Sequence, residues 1–426
     1  MIGKEEEMEC LHTEIDQLSG NNPLHTNAIA NWGISFGTKD EIECLNKANL
    51  RRETPLIVAV RYQANNSIRL LAELKADPDR RDDTGNTALH YAVNNQDIDA
   101  IGRLLQMGAN TSFTNGNGYA SIHIAAHNGN VAVINCLINC CPEIDVNQRD
   151  HKGDTPLIIA TKSRNFKTVE KLIWGKANID LMDDNGDTPL HWATMNGDAR
   201  LVYILACTAQ LTSRNNKGRT VLALAARLGY GEIFKILLNK GADVHTTDNS
   251  LRTIMHQACI AEGTEILKYV LTTPLFTAPS FVPDNDKGES ALHYACRIGN
   301  KAAVAVLLHQ EVQLNSVDLK GRTPLLLAIS KGRSGMAITL LNTWYADGTE
   351  AAIDWPDYRG NTPLHECMRR ENVVVAKQLL NRGADYLVLN TDGESPLTML
   401  NQWEQKESEV YELLLSHALK VGGPSL

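Results

Sequence analysis

Thirteen histidines and nine cysteines are the residues of this chain best equipped for chemistry, as general bases, nucleophiles or ligands to a soft metal. Their spacing argues against all three uses. Seven of the histidines, His25, His90, His123, His191, His256, His293 and His365, occupy one slot of a recurring Thr-Pro-Leu-His pattern. No Gly-rich phosphate loop, His/Glu metal cluster or nucleophile elbow accompanies them. Cys136, Cys140 and Cys141 lie close together, but a zinc site needs a second paired set and the chain has none at that spacing. Cys141, beside Pro142, is the best placed nucleophile, and the sequence supplies no base next to it. Cys259, Cys296 and Cys367 sit in slots otherwise held by Ala, where they act as small buried fillers. The expectation is a chain without catalytic residue, metal or cofactor. Reduced thiols in a core free of disulfides point to a cytoplasmic protein.

The elements that carry these residues follow from the period of the pattern. Its Thr slot falls at Thr54, Thr87, Ala120, Thr155, Thr188, Thr220, Thr253, Ser290, Thr323, Thr362 and Ser395. Most steps are 32–35 residues, and two are longer, at 37 and 39. A degenerate further unit opens at Asn22-Pro23-Leu24-His25. Such self-similarity predicts stacked supersecondary units, none able to bury its apolar face alone. Five residues before each Thr slot stands Asn or Asp, from Asn49 to Asn390, and two before it stands Gly in nine of the eleven units. An Asx side chain that bonds its own backbone, with a Gly free to take positive φ, predicts a tight turn. Thr or Ser then serves as N-cap, and Pro at the next position suits the first helical turn. Two short helical patterns follow, the first carrying Leu-His-x-Ala, as in Leu190-His191-Trp192-Ala193. The second has apolar residues at helical spacing, such as Ile233, Ile236 and Leu237, and often closes on Gly-Ala, as at Gly241-Ala242.

Segments such as Gly85-Asn86-Thr87-Ala88-Leu89-His90-Tyr91-Ala92 and Gly186-Asp187-Thr188-Pro189-Leu190-His191-Trp192-Ala193 carry a resemblance. The chain resembles the ankyrin-repeat family from roughly Asn22 to His417. The resemblance implies an all-α solenoid of stacked helix–turn–helix units with projecting β-hairpin or turn fingers. It further implies partner binding on the concave side, and motif histidines that bond backbone across repeats. The expected division is residues 1–21 as a tail or cap helix, 22–420 as one repeat domain and 421–426 as a tail. Arg52 and Leu251 replace the turn glycine in two units, where distorted or looser fingers are expected.

Composition sets outer limits. The 426 residues carry a formal net charge of −9. Met1 to Glu9 is acidic and lacks the apolar stretch of a signal peptide, and no apolar run is long enough to span a membrane. Nucleic acid is disfavoured as a partner by that acidity and by Asp-rich fingers such as Asp82-Asp83 and Asp183-Asp184.

A partner surface is sought where the repeat does not dictate the residue. Seven and eight positions after the Thr slot, the first helix is expected to expose two side chains. Those 22 positions include Arg61, Tyr62, His127, Lys162, Met195, Arg227, Leu228, Arg297, Ile298, Lys331, Arg369 and Arg370; seven of the 22 are basic and none is acidic. This predicts a positive groove for a protein partner that is acidic or phosphorylated. Solvated cations at helix C-termini explain the same pattern without a partner. The two long steps concentrate aromatics: Phe276 and Phe281 in one, Trp344, Tyr345, Trp355 and Tyr358 in the other. Trp355 and Tyr358, on or beside a finger, are candidate anchors. Glu404, Glu407, Glu409 and Glu412 precede a small-residue end, Gly422 to Leu426. That block reads as the polar face of a capping repeat, and also resembles the translocation signal of bacterial type IV effectors. The expected function is a monomeric, non-enzymatic scaffold or adaptor, with a secreted effector acting in a host cytosol, or an enzyme with an unrecognised site, as alternatives.

Overall fold

The structure is a computed structural model, which describes residues 45–273, 286–310, 312–343, 351–402, 412–414 and 416–417. The chain forms two compact units, Met1–Gln210 and Leu211–Leu426. Within each, every regular element among the described residues is a helix. The helices come in pairs, from Pro55–Arg61 with Asn65–Glu73 to Pro363–Arg369 with Val373–Asn381. Each first helix packs on its own second helix and on the first helix of the next repeat in the same unit.

The first helices are short because both ends are fixed by sequence. Thr54, Thr155, Thr220 and Thr323 accept a backbone N–H three residues on, at 3.2–3.4 Å. The helices they open start on Pro or Val and end seven or eight residues later. Val221 to Ala226 are all buried, so such a helix is core on every side. Small residues make that possible: Ala125, Ala193, Ala225, Ala295 and Ala328 are wholly buried, as are Cys259, Cys296 and Cys367. The second helices are amphipathic. Ile233, Phe234 and Leu237 face inward, while Glu232, Lys235 and Asn239 are exposed. Each buried Leu or Ile contributes roughly 1.5–3 kcal/mol.

The fingers form as the Asx–Gly pairs predict, with one bond more than expected. The Asp82 carboxylate accepts from the backbone N–H of Thr84 and of Asn86, both at 2.9 Å. Asp150, Asp183, Asp248, Asp318 and Asp357 repeat the arrangement two and four residues on. Adjacent fingers are not strand-paired hairpins. Single backbone bonds join several of them, such as Asp184 N–H to Lys152 O at 3.1 Å and Tyr358 N–H to Lys320 O at 3.0 Å. A turn this tight leaves no extended residues for a ladder.

The two fingers without glycine are not distorted. Arg52 (φ 59°) and Leu251 (φ 57°) adopt the left-handed conformation that Gly85 and its equivalents use. Their N–H groups close the same turn, to Asn49 O at 2.9 Å and Asp248 O at 2.8 Å. The Asx bonds hold the turn, and the side chain carries the strain.

Candidate partner-binding surface

Five of the motif histidines are structural links, and His25 lies outside the described residues. The backbone N–H of Thr87 donates to His90 Nδ1 at 3.1 Å, so that nitrogen accepts, and Nε2–H donates to Tyr119 O of the next repeat at 2.9 Å. His123 reaches Gln148 O, His256 reaches Glu289 O, His293 reaches Arg322 O and His365 reaches Glu394 O in the same way. Burial, above all, lowers the pKa of each of these five rings. A ring fixed at both nitrogens is not positioned to shuttle protons.

The cysteines are no better prepared. Burial raises the thiols of Cys259 and Cys367 and pushes Cys296 up to about 12. Cys136, 3.9 Å from Cys140, is pushed up to about 11 by burial and by that neighbour. Among the described residues no group of three or more His, Cys, Asp or Glu converges as a metal site.

The residue after the motif histidine locks the finger. Tyr91 donates to the second oxygen of Asp82 at 2.6 Å, Trp192 to Asp183 at 2.9 Å and Gln257 to Asp248 at 2.7 Å. This role is encoded as a donor paired with a finger Asp nine residues earlier.

The expected cations are present, but most are already paired. Arg61 bonds Glu53, Lys162 bonds Asp154 at 2.6 Å, and Arg297 Nε bonds both oxygens of Glu289 at 2.8 and 3.0 Å. In each pair the acid stands one residue before the Thr slot, is buried, and lies eight residues from its cation. Lys162 also lies 4.1 Å above the Trp192 ring, and Arg297 lies 4.6 Å from the centre of the Tyr294 ring. Arg369 meets Glu366 and the side-chain oxygen of Asn361, and Arg370 meets Glu366 at 3.0 Å. Arg227 and Lys331 make no ion pair among the described residues. Sequence reasoning missed the row of acids because it lies outside the two exposed positions of each helix.

The remaining expected positions divide by exposure. Tyr62 is 57 % exposed and Leu228 39 %, whereas Met195 and Ile298 are half-buried. His127 is exposed, its Nδ1 3.3 Å from Ser163 Oγ, and with Asn94, Tyr119 and Asn128 it lines an open concavity of about 290 Å³ in the first unit. Trp355 and Tyr358 stand out from their finger, 51 % and 72 % exposed. The Tyr358 ring lies over Gly321 (φ 76°) of the preceding finger, where a Cβ would come within 2.6 Å of it. Leu319, one finger earlier, is exposed in the equivalent position. Phe276, Phe281, Trp344, Tyr345, Glu404, Glu407 and Glu409 lie outside the described residues. No helix among the described residues is long and apolar enough to cross a membrane. Trp174, almost fully exposed at the end of a second helix, escaped the sequence reading because attention fell on first helices.

A stack of helix pairs joined by turns, with side chains presented at repeat-spaced positions, defines a helical-repeat protein. The chain belongs to the ankyrin-repeat family: models described as ankyrin repeats match overlapping segments from residue 3 to 350, and one further repeat matches 359–391. It is similar to the mouse B-cell lymphoma 3 protein homolog, 29% identical over 51% of this chain and 48% of that protein. It is likewise similar to human inversin, 30% identical over 45% of this chain and 21% of inversin. Human transient receptor potential cation channel subfamily A member 1 matches at 27% identity over 91% of this chain and 38% of the channel. The chain therefore spans less than half the length of these relatives.

Proposed function

We propose that this protein is a non-enzymatic scaffold that binds a protein partner across the ends of its first helices and its fingers. The observation that carries the reading is the division of labour within each repeat. Histidine, finger Asp and N-cap are consumed by the fold, whereas Tyr62 and Leu228, at one repeat position, and Trp355 and Tyr358, on one finger, are left exposed. Aromatic and aliphatic side chains so placed are the usual anchors of an interface. The paired cations add orientation more than affinity, since an Arg already held by a buried Glu has a fixed direction and little free charge. A cytoplasmic setting suits the free thiols among the described residues. The effector alternative rests on Glu404, Glu407 and Glu409, outside the described residues, and on Glu412, which is helical and exposed.

The test is affinity capture with the full chain, alongside a Tyr62→Ala/Leu228→Ala variant and a Trp355→Ala/Tyr358→Ala variant. A stoichiometric protein partner that one double variant loses at least tenfold, with helix content unchanged, is the expected result. Absence of any stoichiometric partner, or one indifferent to both variants, overturns the proposal.

A further inference from the structure

Two thiols face each other on one second helix, in slots where no other repeat carries cysteine. Cys136 and Cys140 lie one helical turn apart on the helix Val131–Cys140, with their Sγ atoms 3.9 Å apart. They fall sixteen and twenty residues after the Thr slot held by Ala120. Other repeats place Arg103 and Met107, Lys171 and Gly175, or Gln378 and Arg382 there, so the fold asks for neither thiol. The two slots bring their side chains together elsewhere too, since Arg382 Nη1 donates to Gln378 Oε1 at 2.7 Å. Cys259, Cys296 and Cys367 are buried fillers, whereas Cys140 is exposed and Cys136 half-buried.

The geometry limits what such a pair can hold. A disulfide needs sulfurs about 2 Å apart and Cβ atoms about 3.5–4.5 Å apart. Residues four apart on a helix keep their Cβ atoms about 5–6 Å apart, so direct oxidation has to unwind the last turn. A single atom set between the sulfurs asks for less. Two metal–thiolate bonds in line, each of about 2.3 Å as in zinc thiolates, separate the sulfurs by about 4.6 Å. A small rotation of the exposed Cys140 side chain supplies the difference. Zinc and iron–sulfur clusters need four ligands, and the pair does not fit them. No third His, Cys, Asp or Glu joins it among the described residues. The neighbouring Cys141 sulfur lies 3.8 Å from Thr111 Oγ1, in the preceding repeat.

We propose that Cys136 and Cys140 form a two-coordinate site for a soft monovalent cation, the cuprous ion. Thiolate sulfur is the ligand that this ion selects, and two sulfurs in line satisfy it. On binding, each S–H proton passes to solvent and each sulfur forms one bond to copper. The oxidation state of copper and sulfur is unchanged, and the bound group carries one net negative charge. The exposed Cys140 leaves the entry path open, so the ion exchanges with small-thiol copper complexes and is no structural prop. The site is independent of how first helices and fingers meet a protein partner.

The experiment titrates the full chain, reduced and under nitrogen, into cuprous ion held by bicinchoninate, whose copper complex is coloured. Two double variants are run beside it. Cys136→Ser/Cys140→Ser removes the site, and Cys141→Ser/Cys207→Ser removes the other accessible thiols among the described residues. The full chain and the second variant are expected to withdraw one equivalent of copper from the chelator. The first variant should bind it at least a hundredfold more weakly, with helix content unchanged. Should that variant fail to fold, Cys140→Ser alone, at an exposed position, carries the comparison. X-ray absorption of the loaded chain should show two sulfurs at one distance. No copper withdrawn, binding that survives Cys136→Ser/Cys140→Ser, binding lost in Cys141→Ser/Cys207→Ser, or three or more sulfurs around the ion overturns the proposal.

Discussion

The motif histidine shows how one side chain serves two repeats. Its Nδ1 accepts from its own helix start and its Nε2–H donates to the next repeat, so only the neutral ring satisfies both partners. The pKa values of His90, His123, His256, His293 and His365 are lowered from 6.5, burial being the first cause. The unfolded chain then takes up protons before the folded one does. Stability from these rings is complete above about pH 6.5 and declines as pH falls below it toward the folded values. Urea midpoints at pH 7.5, 6.5 and 5.5 should fall in that order, and a flat series would contradict the assignment. At the same scale, Leu251 holds φ 57° in a turn its neighbours build on glycine. Leu251→Gly should stabilise the protein by about 1 kcal/mol, the penalty of a left-handed residue with a Cβ. A loss of stability would show that the partly exposed Leu side chain contributes more than the backbone strain.

At the scale of the element, the finger and the first helix behave as one device. The residue before the Thr slot ends the finger, and the seventh residue after it ends the helix, yet their side chains meet in Arg297–Glu289. Glu289 is wholly buried, so removing Arg297 strands a carboxylate, at a cost of about 1–3 kcal/mol. Arg297→Glu should cost more still, whereas Arg227→Glu, opposite Arg219, should cost nothing or stabilise. Chemical denaturation of the two variants checks this, and equal losses would show that the pairing does not govern stability. The same device marks the limit of what the residues disclose by themselves. Caps, turns and histidine slots were legible because each depends on neighbours within five positions. The partners of Arg61, Lys162 and Arg297 were not, because an eight-residue separation becomes a contact only once the finger folds back beside the helix. Counting cations in the exposed row without the acids behind it overstates the free charge. Arg52 and Leu251 misled for a related reason, since the Asx bonds that rescue their turns outweigh the missing glycine.

At the scale of the whole molecule, each repeat is joined to the next within its unit by packed helices, with a histidine bridge, a finger bond or both at most steps. Damage to one bridge should therefore remain local. His293→Ala should speed amide exchange in its own repeat and in the repeat opening at Thr323, with the effect fading beyond them. Uniform acceleration along residues 211–402 would instead indicate an all-or-none unit. The thiols give a parallel readout. Cys140 and Cys207 are exposed and should react promptly with an alkylating reagent, while Cys259, Cys296 and Cys367 are buried and should react only as their own repeats open. Simultaneous labelling of all five in native buffer would contradict the burial.

Because the charge shown at the end of a first helix is set by a residue of the same repeat, the surface can be rewritten one repeat at a time. Exchanging the Glu289/Arg297 pair for an apolar or reversed pair alters one patch and leaves the histidine bridges and finger bonds on either side intact. A protein organised this way can drift toward a new partner through paired local edits, each complete in itself. For engineering, the unit of change is then two side chains eight residues apart, transferable between repeats that share the slot.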